Sequence, residues 1–86
     1  MTGKDLKTIS IEVRENIAPY FEDEDIEYYF NKNNGDIKAT IYELLIVKSE
    51  DSTISISGLS TQDTSNYFKR LASKYKSFNS GALRDY

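Results

Sequence analysis

The chain has 86 residues and contains neither cysteine nor histidine. That composition removes thiolate nucleophiles, disulfides, the usual Cys/His zinc sites and imidazole acid-base catalysis together. The chemistry left to carboxylates, lysines and hydroxyls is narrower. The acidic run from Phe21 to Glu27 invites a calcium loop, but an EF-hand needs alternating oxygen ligands, glycine at its sixth position and a bidentate glutamate at its twelfth. Neither this run nor a frame starting at Asn31 meets that spacing, since the second places Gly35 at position five. Paired carboxylates abound, yet glycosidase-type chemistry needs two of them in a cleft with separated pKa values, and so short a chain has little room for a cleft. No glycine-rich phosphate loop is present, because Gly35 and Gly58 stand alone and Gly3 and Gly81 fall near the termini. The expectation is a protein without catalytic residues, metal or cofactor.

The basic residues offer a different chemistry. Between Tyr67 and Lys76, Lys69, Arg70, Lys74 and Lys76 alternate with Tyr67, Phe68 and Tyr75, the composition of a nucleic-acid-binding helix. A small DNA-binding regulator is therefore one reading. Against it stand the formal net charge of −3, because nonspecific binding depends on neutralising phosphates, and the need to spend the same aromatics on a core. A helix-turn-helix also wants a turn of about three or four residues before its recognition helix, and Ser49 to Ser60 is far longer.

The distribution of charge carries more than its sum. From Tyr20 to Asp36 there are six acids (Glu22, Asp23, Glu24, Asp25, Glu27 and Asp36) and a single base, Lys32. From Thr61 onward five bases (Lys69, Arg70, Lys74, Lys76 and Arg84) face two acids, Asp63 and Asp85. Two solvated helix faces would account for this pattern. Two poles of opposite sign would also suit head-to-tail contact between identical subunits.

The elements that position these residues follow from periodicity. Leu6, Ile9, Val13 and Ile17 recur three or four apart and predict a first helix over about 5–17, ended by Pro19. Tyr20 and Phe21 form an apolar hinge. Acidic residues at the next helix start complement its dipole, and Ile26, Tyr29 and Phe30 give a second helix over about 22–32, stopped by Asn33, Asn34 and Gly35. Asp36 can cap a third, over about 36–49, whose apolar Ile37, Ile41, Leu44, Leu45 and Val47 are joined by Tyr42 and Ile46, the pattern of a central helix. Its β-branched residues allow a strand, but length and the lack of period-two alternation favour helix. Ser49 to Ser60 interleaves serines and threonine with Ile54 and Ile56, reading as a loop or as an edge strand extended near 52–57 that could pair with another subunit. Thr61 or Asp63 can cap a fourth helix over about 62–77, and 78–86 reads as a flexible tail. The fold class expected is all-α, a single domain of about four helices over 1–86. A domain this small buries only about 60% of its unfolded surface, so support from neighbouring subunits is plausible. No apolar stretch approaches the roughly 20 residues of a membrane span, and Met1 to Lys7 leads into polar sequence, so a soluble protein without membrane contact is expected. The lack of cysteine fits an intracellular compartment.

The run YFEDEDIEYYFNKNNGDIKATIYELLIVKSED, from Tyr20 to Asp51, resembles a pattern found in head-tail connector (adaptor, or head-completion) proteins of tailed double-stranded DNA bacteriophages. In it a short acidic helix, an Asn-Asn-Gly-Asp corner and a hydrophobic helix ending in a Lys-Ser-Glu-Asp stretch follow one another. A Ser/Thr/Ile segment with glycine, a Thr-Gln-Asp-Thr-Ser cap and the aromatic-basic helix YFKRLASKYK, from Tyr67 to Lys76, continue it. The resemblance covers Tyr20 to Lys76; the first helix and the tail match only in kind, and the chain is shorter than many connectors. It implies a small helical bundle that assembles as a homo-oligomeric ring under the portal at the capsid vertex. That ring would extend the DNA channel, let DNA pass without specific recognition, and receive a tail-side head-completion protein. The expected location is the virion head-tail junction, and the host cytoplasm during assembly. Candidate subunit-interface residues are Glu22, Asp23, Glu24, Asp25, Glu27, Lys69, Arg70, Lys74 and Lys76, with Ile54 and Ile56 of the extended segment. Phe78, Leu83, Arg84 and Tyr86 are the candidate portal-docking tail.

Overall fold

The computed structural model describes residues 2–76 and folds them into four helices, α1 (Gly3–Glu12), α2 (Asp23–Lys32), α3 (Ile37–Glu50) and α4 (Thr61–Ser73). Among the described residues there is no strand, and the chain is all-α as its periodicity predicts. The expected tail, 78–86, lies outside the described residues.

Each helix begins on an oxygen that satisfies an otherwise orphaned N–H. Thr2 Oγ1 accepts from Asp5 N at 3.0 Å, Asp36 Oδ1 from Ala39 N at 3.0 Å, and Ser60 Oγ from Asp63 N at 3.0 Å. At α2 the Asp25 carboxylate reaches back to accept from Glu22 N at 3.0 Å. Asp36 is the expected cap of α3. The cap of α4 is Ser60, one residue ahead of Thr61, which is the first helical residue.

Two helices end on a left-handed residue closed by paired back-bonds. At α2 this is Asn34 (φ 57°), with Asn34 N donating to Asn31 O at 3.0 Å and Gly35 N to Phe30 O at 2.9 Å. The Asn-Asn-Gly corner thus stops the helix as its residue types predict. At α1 the same motif stands on Arg14 (φ 64°), with Arg14 N on Ile11 O at 3.1 Å and Glu15 N on Ser10 O at 3.0 Å. The first helix therefore stops at Glu12, not near Ile17, and Pro19 lies in the non-helical connection that follows. A single turn from Arg14 to Ala18 replaces the missing helix end, leaving Ile17 51% exposed while Ile9 and Val13 are fully buried. The fourth helix is likewise shorter than expected, ending at Ser73 with Lys74 and Tyr75 in a turn.

α3 is the central helix and packs against α1, α2 and α4, most extensively against α4. It contributes Ile41, Leu44 and Leu45 to a core completed by Ile9, Val13, Ala18, Ile26, Ile54, Phe68, Leu71 and Ala72. α2 and α4 each pack on α3 and do not pack on one another.

The segment 51–60 is a loop of two turns, not an edge strand. Asp51 Oδ1 accepts from Thr53 N at 2.8 Å and Thr53 Oγ1 at 2.6 Å, folding the chain back on itself. Leu59 N then donates to Ile56 O at 3.0 Å across Gly58, whose φ of 88° suits the third position of such a turn.

Candidate functional site

The five acids predicted for an interface, Glu22, Asp23, Glu24, Asp25 and Glu27, are all exposed along α2, which turns Ile26 inward. Between and beside them runs a chain of aromatic rings. Tyr20 meets Phe21 edge to face at 4.9 Å between centroids, Phe21 meets Tyr29 at 6.2 Å, and Tyr29 meets Tyr28 at 5.3 Å. Its two ends face solvent, with Tyr20 41% and Tyr28 63% exposed.

One cation of the chain already sits on this ladder. Lys32 Nζ lies 5.4 Å from the Tyr29 ring centroid and 2.6 Å from Glu43 Oε2 on α3. The hydrogen bond to Glu43 raises the pKa of Lys32 above its ordinary value. Burial alone would push the Glu43 carboxyl up, but the bonds from Lys32 and from Asn33 Nδ2, the latter at 3.0 Å, outweigh it and hold the carboxyl low.

On the other side of α3, Lys69 and Arg70 are exposed on α4, and Lys74 and Lys76 are exposed in the chain just beyond it. Among the described residues, none of these four bases and none of the five α2 acids takes part in an ion pair. The aromatics of the basic helix are spoken for: Phe68 is fully buried, Tyr67 Oη accepts from Arg14 Nε at 3.2 Å, and Tyr75 donates to Glu12. Burial and that bond to Glu12 push the Tyr75 phenol up to about 12.

Two of the predicted interface residues sit elsewhere. Ile54 is 7% exposed and belongs to the chain's own core, and Ile56 is half-buried against it. Their alternation with serine is inward-outward packing over the hydrophobic centre. The candidate tail residues Phe78, Leu83, Arg84 and Tyr86 lie outside the described residues.

The residue missed by sequence reasoning is Lys48. It is 1% exposed, and its ammonium donates to Val13 O at 2.8 Å, Ala18 O at 2.7 Å and Glu15 Oε2 at 2.7 Å, lying 5.0 Å from the centroid of the Phe68 ring. The other Glu15 oxygen accepts from Tyr20 N at 2.9 Å and Phe21 N at 2.8 Å. Lys48 thus satisfies two carbonyls left over by the early end of α1, and Glu15 carries that order into the hinge and the start of the aromatic ladder. Burial lowers the pKa of Lys48 while Glu15 works in the opposite direction. A buried lysine of this kind can be a nucleophile elsewhere. Here all the donors of the ammonium are used on protein acceptors, which makes it a clamp. The sequence did hold a signal, because Ile41, Leu44, Leu45 and Lys48 fall at i, i+3, i+4 and i+7, which places Lys48 on the apolar stripe.

A shallow groove of about 210 Å³ lies between the end of α3 and the start of α4, lined by Ser49, Glu50, Asp51, Ser52, Thr61, Gln62 and Ser65. It falls below the roughly 300 Å³ at which small-molecule sites begin. Among the described residues no group of three acids could hold a metal ion, and no helix is long and apolar enough to cross a membrane. No family model, no curated protein and no solved structure matches the chain.

Proposed function

We propose that the protein is a non-enzymatic assembly subunit, a head-tail connector of a tailed bacteriophage that joins capsid to tail as a ring on the portal vertex. The observation that carries this reading is the pair of charged faces, acidic on α2 and basic on α4, that form no ion pairs among the described residues and do not pack on one another. A face of each sign on one small rigid body lets every copy contact the next in the same way, and such heterologous contacts close into a ring when the rotation permits. The order of elements from Tyr20 to Lys76, in which the sequence resembles connectors, supports the same reading. Its partners would be other copies of itself, the portal protein and a tail-side head-completion protein, with its place in the virion at the head-tail junction.

The DNA-binding alternative draws less support from the packing. Tyr67, Phe68 and Tyr75 are engaged within the domain, so the basic surface offers charge without free aromatic rings for stacking.

The test is mass. The full chain, mixed with the portal protein encoded alongside it, should co-elute in light scattering at a mass above that of the portal ring alone. A chain that elutes as a monomer and leaves the portal mass unchanged overturns the proposal.

A further inference from the structure

We propose that the aromatic-acidic face of α2 is a receptor for the basic face of a second copy of this chain, with the Tyr28 ring accepting an Arg70 or Lys69 cation. The inference rests on the connector reading only in taking another copy as the occupant.

The surface is unpartnered in an unusual way. Tyr28 is the most exposed of the large hydrophobic residues, and it shares its helix face with Glu24, four residues before, and flanks Glu27. An exposed ring with Glu24 one turn before it and Glu27 beside it is an apolar body with an electronegative face near negative charge, and that combination attracts a cation more than an apolar side chain, while Lys32, one turn after it, is drawn to Glu43. The chain shows this chemistry next door, where Lys32 sits over Tyr29 with Glu43 as its counter-charge. Tyr28, set edge to face against Tyr29, has the same ring, and among the described residues no cation sits over it.

The complementary surface exists on the same molecule. Lys69, Arg70 and Lys74 project together from α4 and the turn after it, exposed and outside any ion pair among the described residues. Arginine is the cation most often found over aromatic rings, and its planar fork also pairs carboxylates. Within one chain the two faces form no ion pair among the described residues, and α2 and α4 do not pack on one another. They can meet between chains, and each copy then has one receptor and one donor to offer, which propagates without a symmetric dead end.

The experiment is sedimentation velocity on the full chain over a concentration series, at low salt and at 1 M salt, where the screening length falls from about 30 Å at 0.01 M to about 3 Å. Two charge-reversed variants accompany it, Glu24→Lys with Glu27→Lys, and Lys69→Glu with Arg70→Glu, each studied alone and mixed. The expected result is self-association of the native chain at low salt that is lost at high salt, monomers for each variant alone, and association restored on mixing, since the reversed faces complement one another. Tyr28→Ala should weaken self-association by about threefold while Tyr28→Phe, which keeps the ring, leaves it unchanged. All five altered side chains are exposed, and far-ultraviolet circular dichroism checks that the variants fold. A native chain that stays monomeric at low salt overturns the inference. So does an oligomer that both reversed variants still form, although a ring built through other faces would survive that result. Charge-dependent self-association without any portal complex would uphold this interface and sink the connector reading.

Discussion

Lys48 and Lys69 are the same side chain put to opposite uses. Lys48 ends the apolar stripe of α3, is 1% exposed, and has every donor committed to an acceptor within the domain. Lys69 stands on the outer face of α4 with no acid beside it among the described residues. Desolvating a charge is tolerable only when its partners replace water in full, so the buried site is a closed network and its function is internal order. An exposed charge keeps its water and remains available to a partner. The charges open to a partner are those the fold leaves unanswered.

The largest effect is expected at the buried lysine. Lys48→Met should cost about 3–5 kcal/mol, because it strands the Glu15 carboxylate and two carbonyls. Urea denaturation measures it, and Lys69→Met in the same assay should stay within about 0.5 kcal/mol. A Lys48→Met protein as stable as the native chain would show the network to be incidental.

Glu15→Gln sharpens the account, since the amide can still accept from Lys48 but its NH₂ cannot accept from Tyr20 N or Phe21 N. A loss of about 2 kcal/mol is expected in urea melts. Broadened amide signals at Tyr20 and Phe21 should accompany it, and unchanged signals there would sever the link from clamp to hinge.

A smaller effect is expected at alkaline pH. The Tyr75 phenol is raised from its ordinary 10.0 to about 12 by burial and by its bond to Glu12, so the folded state holds that proton more tightly. Its contribution is fully present below pH 10 and is lost as pH rises through about 12. Discounted for partial exposure, it amounts to about 1 kcal/mol. Thermal melts between pH 9 and 12 should therefore decline less steeply for Tyr75→Phe than for the native chain.

The smallest change is expected for Arg14→Gly. Glycine relieves a left-handed strain of about 1–2 kcal/mol but forfeits the guanidinium bonds to Tyr67, Ile11 and Glu12, so the two effects nearly cancel. Parallel melts of both proteins check it.

The parts of this fold that were legible in the sequence are those set by neighbours in the chain. The three- and four-residue recurrence located Ile9, Val13, Ile26, Ile41, Leu44 and Leu45, all of them buried. The Asn33–Gly35 corner and the Asp36 cap depend on residue types with strong conformational preferences. What escaped was set by distant partners. Arginine is a poor guide to a left-handed cap, and Arg14 is held there by α4, through Tyr67, 53 residues away. Lys48 takes its acceptors 30 to 35 residues back along the chain, where no local pattern announces them. Ile54 was misread for a related reason, because alternation with serine marks a buried side but not whose core it is.

Zero-length carbodiimide cross-linking at low salt, on a mixture of isotopically light and heavy full chains, tests the central claim most directly. It joins lysines to carboxylates only when they touch, and the Lys32–Glu43 pair at 2.6 Å provides the internal standard. Mixed-isotope products joining Glu24 or Glu27 to Lys69 or Lys74, abolished at 1 M salt, are expected beside the single-chain Lys32–Glu43 product. A full yield of that internal product with no product between the α2 and α4 faces would contradict that claim.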